Sequence, residues 1–253
     1  MKKYVLITGA SEGIGKSTAF KFALEGYNLI LIARRKNLLE EIKKEIEAKY
    51  VGIEVVVLDK DLSIIANVFS VFEEVKKYDI ELLVNNAGFG DINRIEDVSV
   101  QRNIEMVNLN IQALMILTLG YIKEYSKKGG TIINVSSVVG YNVATQSAIY
   151  SATKFFVSAF SEGIAHQLKE DKSNLRVKVL APGLTKTDFA RVALEGSKIT
   201  DKKEFERWED LPSKTSEEMA EYAFELFKSD KILGYADPQT QTLILSDGKY
   251  NIL

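Results

Sequence analysis

The sequence predicts an α/β fold in a single domain, built on a doubly wound parallel sheet with helices on both faces. Short apolar runs alternate with longer amphipathic segments along the 253 residues, which is the pattern of parallel strands joined by crossover helices. A glycine-rich turn follows the first apolar run. The chain has three prolines and no evident repeat or linker, so one domain spanning residues 1–253 is expected.

Each short apolar run is predicted as a strand and each longer amphipathic segment as a helix. Right-handed crossovers between such strands produce the doubly wound arrangement. The predicted strands are Tyr4–Ile7, Asn28–Ala33, Glu54–Leu58, Leu82–Asn85, Thr131–Val135, Arg176–Leu180 and Thr242–Leu245. The predicted helices are Lys16–Glu25, Leu38–Lys49, Ile64–Lys77, Asn103–Tyr125, Ser147–Lys169 and Ser216–Lys228.

The segment 187–214 differs from the rest of the chain. It is charged and weakly periodic, and it holds Phe205 and Trp208 among acidic and basic residues. One interpretation is a solvated surface helix. The other is a flap over a site, with the two aromatic rings facing a substrate, and both interpretations stay open.

Composition excludes several classes of function. The 33 Lys and Arg residues are balanced by 35 Asp and Glu residues, so no nucleic-acid partner is indicated. The absence of cysteine excludes thiol catalysis and Cys-based metal sites, and a single histidine, His166, makes a Ser-His-Asp triad or a histidine metal site implausible. No run approaches the roughly 20 apolar residues of a membrane span. We therefore expect no metal and no span, and a cytoplasmic location by default.

The turn after the first predicted strand has the composition of a phosphate-binding loop. It reads Thr-Gly-Ala-Ser-Glu-Gly-Ile-Gly from Thr8 to Gly15 and leads into a helix. Glycines let the backbone approach a pyrophosphate, and the helix start offers free N–H groups and a positive dipole end. Ordinary strand-to-helix turns also use glycine, but this position in an alternating chain favours a Rossmann fold that binds a dinucleotide.

The end of the second strand indicates which dinucleotide is bound. Arg34 and Arg35 stand where an acid would bind a free ribose 2′-hydroxyl, and arginine accommodates a 2′-phosphate instead. This favours NADP(H) over NAD(H). Glu12 opposes that interpretation, because a basic residue at its position would support the phosphate.

Tyr150 and Lys154 are candidates for acid–base chemistry. Residues four apart share one face of a helix, and an ammonium close to a phenol lowers the phenol pKa from its ordinary value of about 10. Such a tyrosine can exchange the proton that accompanies hydride transfer at a carbonyl. Many Tyr-x-x-x-Lys pairs are surface decoration, so the prediction depends on the surrounding motifs.

Taken together, these features resemble the short-chain dehydrogenase/reductase family over about Tyr4 to Thr187. The carboxyl-terminal run from Leu243 to Lys249 departs from the family's usual ending, which puts the packing of this run in doubt. The matching motifs are Thr8–Gly15, Asp61-Leu62, Asn85-Asn86-Ala87-Gly88, Val107-Asn108-Leu109, Ser136-Ser137, Tyr150 with Lys154, and Pro182–Thr187.

The resemblance implies four catalytic residues: Asn108, Ser137, Tyr150 and Lys154. Family spacing to the tyrosine selects Ser137 over Ser136, and the family pattern selects Asn108 over Asn110. It also implies that Lys154 lowers the pKa of Tyr150 and that Asn108 kinks its helix. The implied cofactor-binding residues are Gly9, Ser11, Gly13, Ile14, Gly15, Arg34, Arg35, Asp61, Leu62, Asn86, Ala87, Gly88, Tyr150, Lys154, Pro182, Gly183, Thr185 and Thr187.

The function implied by the resemblance is hydride transfer between NADPH and a small-molecule carbonyl or secondary alcohol, in a homodimer or homotetramer. Two alternatives stay open: an epimerase or dehydratase on the same fold, and a non-catalytic NADP-sensing regulator. Both would be expected to alter the residues Ser137, Tyr150 or Lys154, and all three are present.

Overall fold

A computed structural model of the chain describes residues 3–195, 197 and 212–251. Most of the predicted substrate flap, including Phe205 and Trp208, lies outside these residues. The two interpretations of that segment therefore stay predictions.

The centre of the described fold is an eight-stranded, mostly parallel sheet. The described residues form ten strands, of which eight make this sheet: β1 (Tyr4–Thr8), β2 (Asn28–Ala33), β3 (Val55–Asp59), β4 (Ile80–Asn85), β5 (Gly130–Val135), β6 (Leu175–Ala181), β7 (Thr185–Lys186), β8 (Lys214–Thr215), β9 (Leu233–Ala236) and β10 (Leu243–Ser246). The sheet order is β10-β9-β6-β5-β4-β1-β2-β3, and β7 pairs separately with β8. Chain order reverses beside β1, which is the point where open α/β sheets bind nucleotides.

Helices pack on both faces of this sheet, as predicted. They are α1 (Gly13–Leu24), α2 (Lys36–Lys49), α3 (Ile65–Val75), α4 (Val100–Val107), α5 (Leu114–Tyr125), α6 (Ala148–Glu170), α7 (Phe189–Ala193) and α8 (Ser216–Lys228). Successive side chains of a strand point to opposite faces, so Val5 and Ile7 join one core cluster and Leu6 joins the other. The first cluster includes Phe22, Ile42 and Leu226, and the second includes Val71, Leu117 and Ala165. The doubly wound fold is confirmed.

The carboxyl-terminal part of the sheet differs from the prediction. Leu233–Ala236 forms a buried strand parallel to β6 that the sequence analysis did not identify, and the final strand runs antiparallel to it. The β9 run is four residues long and includes a glycine, so its periodicity is too short to predict a strand.

The long helix predicted over Asn103–Tyr125 is also not uniform. It begins earlier, at Val100, and a π-helical segment, Asn108–Ala113, separates α4 from α5. Such π-bulges occur frequently at functional sites.

The sequence analysis expects no membrane span, but in the described ranges the continuous helical run of 26 residues, Val100–Tyr125, is long and apolar enough to match one by length and composition. A buried core helix meets the same test. Met106, Leu117 and Tyr121 of the run are buried, and the latter two pack in one of the two core clusters of the sheet.

Candidate active site

The predicted site residues gather where parallel strands end. The segments that follow the carboxyl ends of β1, β4, β5 and β6 carry the glycine turn, the Asn-Asn-Ala-Gly motif, the two serines and the Pro-Gly segment. Because these strands are parallel, all four segments meet at the same edge of the sheet.

The glycine turn packs directly on the end of β4. Gly9 has a φ of +66°, and a Cβ there would lie 2.8 Å from the Cα of Ala87. A Cβ at Gly15 would lie 2.3 Å from the Gly9 carbonyl oxygen. The Thr8 hydroxyl accepts hydrogen bonds from the backbone N–H groups of Asn86 and Ala87, both at 3.0 Å. These glycines are therefore required by the close packing of the turn itself.

The start of α1 fits an anionic group. Its N-cap residue, Glu12, makes no side-chain capping hydrogen bond, and the first turn contains no acidic residue. The N–H groups at Gly13 and Ile14 therefore have no side-chain cap, and the dipole of the helix favours a phosphate here. The donor set matches the pyrophosphate of a dinucleotide.

Arg35 closes one side of this turn. One guanidinium nitrogen, Nη2, lies 2.9 Å from the Ser11 hydroxyl oxygen and 2.8 Å from a Glu12 carboxylate oxygen. Arg34 is exposed beside it. The Arg35 guanidinium, which would contact a 2′-phosphate, is thus already paired with the Glu12 carboxylate of the same turn.

Asp61 and Leu62 make different kinds of contact. The Asp61 carboxylate accepts hydrogen bonds from the N–H and hydroxyl of Ser63, at 2.9 and 2.6 Å. Leu62 is buried in the core cluster between the sheet and α3. The structure gives Leu62 a packing role, and cofactor contact by either residue stays a prediction.

Asn86 and Gly88 sit on either side of Ala87 but contact different parts of the site. The Asn86 amide donates to the carbonyls of Thr8 and Gly9 at 3.0 and 3.3 Å, so it fastens the turn to β4. Gly88 faces Asn110 and Lys154, because a Cβ there would lie 2.9 Å from Asn110 Oδ1 and 3.7 Å from Lys154 Nζ. The motif thus lies between the glycine turn and the predicted acid–base residues.

The segment after β6 reaches the same region. The Pro182 carbonyl accepts from Val138 N–H at 2.9 Å, and the Thr185 hydroxyl donates to the Gly183 carbonyl at 3.1 Å. A Cβ at Gly13 would lie 3.2 Å from the Thr187 methyl group. The structure therefore brings Thr187, a predicted cofactor-binding residue, against the glycine turn.

Ser137, Tyr150 and Lys154 converge at the end of β5. The Ser137 hydroxyl lies close enough to the Tyr150 phenol to act on its pKa. Lys154 Nζ donates to the Val135 carbonyl at 2.9 Å and lies 5.7 Å from the centroid of the Tyr150 ring. The hydroxyl, phenol and ammonium of the predicted chemistry are adjacent.

The two neighbouring serines, Ser136 and Ser137, have different contacts. Ser136 is buried, and its hydroxyl hydrogen-bonds the Lys154 carbonyl at 3.0 Å and the Ser158 hydroxyl at 2.7 Å. Ser137 instead faces Tyr150, as the spacing to the tyrosine indicates. Ser136 holds α6 to the end of β5, and Ser137 is available to a substrate oxygen.

The pKa of the tyrosine does not shift in the expected direction. Burial raises the pKa of the Tyr150 phenol above its ordinary value, and the Ser137 hydrogen bond partly opposes this. Burial lowers the pKa of the Lys154 ammonium to about 8. The expected net lowering of the Tyr150 pKa is therefore wrong for this structure, because burial decides the direction of the shift.

The choice of Asn108 also needs correction. The Asn108 side chain accepts a hydrogen bond from Gln112 on its own helical run and does not reach the catalytic residues. Asn110 is buried and bonds the backbone N–H and carbonyl of Phe89, at 3.1 and 2.9 Å, and the Thr153 hydroxyl, at 3.1 Å. Asn110 is thus the asparagine beside Lys154.

A sequence signal for Asn110 existed. It lies on the buried face of the run, at a spacing of four after Met106 and three before Ala113, both buried, whereas Asn108 lies off that face.

The sequence analysis also missed Phe189, at the start of α7. Its ring centroid lies 5.5 Å from that of Tyr150, and a Cβ at Gly90 would lie 3.0 Å from its ring. The side chain is about one-third exposed, at 36%. Phe189 therefore forms an aromatic wall beside the phenol.

Comparisons with known proteins bear on the family and the fold. The family model described as short chain dehydrogenase matches residues 3–197. A relative from Schizosaccharomyces pombe (strain 972 / ATCC 24843), named NADP-dependent 3-hydroxy acid dehydrogenase, is 35% identical over 201 residues, covering 78% of this chain and 76% of the relative.

Two solved structures show the same fold. A short-chain dehydrogenase from Sphingobium yanoikuyae in complex with NADPH has a TM-score of 0.80 and 29% identity, covering 91% of this chain and 86% of that chain. L-Sorbose reductase from Gluconobacter frateurii, complexed with NADPH and L-sorbose, has a TM-score of 0.80 and 28% identity, covering 96% and 98%.

The two asparagines can be distinguished by stability. Asn110→Ala removes three hydrogen bonds and leaves buried partners unpaired, so it should lower the free energy of unfolding by about 2 kcal/mol or more. Asn108→Ala removes one partly exposed bond and should cost no more than about 0.5 kcal/mol. Thermal unfolding of both variants measures the difference. Equal losses would contradict the placement of Asn110.

Proposed function

This chain is a member of the short-chain dehydrogenase family, and we propose that it transfers a hydride between NADP(H) and a carbonyl or secondary alcohol. The observation that carries this proposal is the convergence of Ser137, Tyr150 and Lys154 beside a glycine turn whose helix start is open to a pyrophosphate. The epimerase, dehydratase and sensor alternatives have no specific observation in their favour.

In the direction of reduction, each residue has a defined task. The Ser137 hydroxyl binds the substrate oxygen and stabilises the charge that develops on it. The Tyr150 phenol donates its proton to that oxygen, and the Lys154 ammonium stabilises the resulting phenolate. The nicotinamide group, when bound, supplies the hydride. In oxidation the proton moves from the alcohol to Tyr150.

Asn110 takes the place of Asn108 in this proposal. Its amide bonds Phe89, after β4, and Thr153, which immediately precedes Lys154. It therefore sets the distance between α6 and the Asn-Asn-Ala-Gly segment. We assign it a positioning role for Lys154.

The substrate proposed is a small ketone, or the secondary alcohol formed from it. The relatives named for a 3-hydroxy acid and for L-sorbose support conversion between a hydroxyl and a carbonyl. Phe189 supports an apolar substituent beside the reacting carbon, because its ring offers an apolar surface next to Tyr150.

The preference for NADP(H) over NAD(H) is proposed from the turn. Arg35 and Ser11 present a guanidinium and a hydroxyl at its edge, with Arg34 exposed alongside. These donors match a 2′-phosphate. The structures of relatives with NADPH support this assignment.

Tyr150→Phe tests the proposed chemistry. Removing the phenol hydroxyl removes the proton donor and leaves the glycine turn intact. NADPH-dependent reduction of ketones should fall below detection, while fluorescence titration should give NADPH binding within about twofold of wild type. Tyr4→Phe, which loses a surface hydroxyl bonded to Glu54, is the matched control. Wild-type turnover by Tyr150→Phe would refute the assigned acid.

The pH dependence of reduction should report Lys154. The raised pKa keeps Tyr150 protonated at neutral and mildly basic pH, whereas Lys154 loses its charge as pH rises through about 8. The kcat/KM for reduction should therefore be highest below pH 8 and fall above it, since this parameter reports groups of the free enzyme.

Lys178 provides the control for this profile. Burial lowers its pKa to the same value, about 8, but its ammonium caps the end of α8 through the carbonyls of Leu226 and Ser229. Lys178→Met should leave unchanged the pH at which kcat/KM for reduction falls. A level wild-type profile to pH 10 would contradict the assignment to Lys154.

Cofactor preference should depend on Arg35 and Glu12 in opposite ways. Arg35→Ala removes a charged donor and should weaken NADPH about 10- to 100-fold with little effect on NADH. Glu12→Gln removes the competing carboxylate and should tighten NADPH by about two- to fivefold, the worth of an exposed ion pair. Fluorescence titration with both nucleotides measures this, with Arg176→Ala, an exposed residue near the amino end of β6, as a charge-matched control. Equal changes for both nucleotides would exclude 2′-phosphate recognition.

A further inference from the structure

One buried carboxylate has no part in the proposed chemistry. Glu162, on α6, is fully buried, at 0% exposure. It accepts a hydrogen bond from the Tyr141 hydroxyl and two more from the backbone N–H groups of Lys249 and Tyr250, at 2.9 and 3.0 Å. Burying a carboxylate costs free energy unless it is hydrogen-bonded, and the hydrogen bonds from these three donors offset that cost.

The carboxyl-terminal segment Asp247–Tyr250, termed the tail here, is shaped to reach this carboxylate. Gly248 has a φ of +115°, and a Cβ there would lie 2.6 Å from a Glu162 oxygen. The Lys249 ammonium lies over the Tyr235 ring, 3.3 Å from its centroid. The tail is therefore packed against α6 and β9.

Tyr250 connects the tail to the turn that follows Ser137. Its ring stacks on Tyr141 with centroids 5.3 Å apart, and its hydroxyl donates to the Gly140 carbonyl at 2.8 Å. Gly140 ends a single 3₁₀ turn, Val138–Gly140, whose first N–H groups are bonded by Pro182 and by the Ser137 hydroxyl.

That turn has no spare room. A Cβ at Gly140 would lie 2.4 Å from the Ser136 hydroxyl and 2.7 Å from the Lys154 carbonyl. Gly140 thus contacts the backbone of α6 directly, at Lys154. A shift of the Gly140 carbonyl would move the turn against Lys154 and change the direction of the Ser137 hydroxyl.

We infer that Glu162 and the tail are positioning elements for the reaction, because they fix Tyr141 and Gly140 and through them the Ser137 hydroxyl beside Tyr150. The inference rests on the proposed function for its kinetic consequence. Its structural consequence, a turn held rigid by the tail, is independent of that function.

The test compares Glu162→Ala with Glu162→Gln in the full chain. The alanine variant frees the tail and should lower kcat about 10- to 100-fold, the cost of a misplaced reacting group, while the Kd for NADPH changes little. The glutamine variant should retain most of the activity, because its amide oxygen can accept from both tail N–H groups and its NH₂ can donate to the Tyr141 oxygen. Equal losses in the two variants would overturn the inference.

Tyr250→Phe supplies a second variant that leaves the buried carboxylate satisfied. It removes one hydrogen bond, to Gly140, and should lower kcat roughly fivefold, with Tyr4→Phe unchanged. Hydrogen–deuterium exchange should show faster exchange of the Gly140 N–H in Glu162→Ala and Tyr250→Phe.

The two readouts separate this inference from the proposed function. A wild-type protein without ketone reduction would refute the proposed function, and the exchange rates would still test the tail. Wild-type exchange and wild-type kcat in Tyr250→Phe would refute the positioning role.

Discussion

The contact between α6 and the end of β5 is the constraint on which the site depends. At this contact the Ser136 hydroxyl bonds the Lys154 carbonyl, the Lys154 ammonium bonds the Val135 carbonyl, and Gly140 packs where no side chain fits. The helix thereby brings a phenol and an ammonium to the sheet edge with fixed height and rotation. Ser136, which bonds α6, is as necessary to this geometry as Ser137 beside it.

A second constraint is a network of buried hydrogen bonds that links β4 and β5 to two helices. Asn85 on β4 donates to Asn134 on β5 and to Thr118 on α5, and Asn134 donates to Ser161 on α6. These polar groups are buried, so their hydrogen bonds are far more favourable made than broken. The network fixes the ends of two strands relative to two helices. Ser137 follows shortly after the end of β5, and Tyr150 and Lys154 lie on α6, one of the two helices.

The fold could be predicted because its signals are local and repeated. Apolar strands, crossover helices and the glycine turn each have a short-range pattern, and the Tyr-Lys pair depends on one turn of helix. The prediction of Asn108 is wrong because Asn110, and not Asn108, lies on the buried face of the π-helical segment. The pKa of Tyr150 could not be predicted, since desolvation depends on packing from several elements. The strand β9 was missed because its short run has no periodicity of its own.

The position of the tail has a consequence for the order in which the protein is made. Synthesis at roughly 5–20 residues per second delivers the strands up to β6 and the whole of α6 well before Asp247–Tyr250. A nascent chain therefore holds Ser137, Tyr150 and Lys154 while Glu162 still lacks its backbone donors. If the positioning role inferred for the tail holds, the geometry around Ser137 is completed only after residues 247–250 have been made.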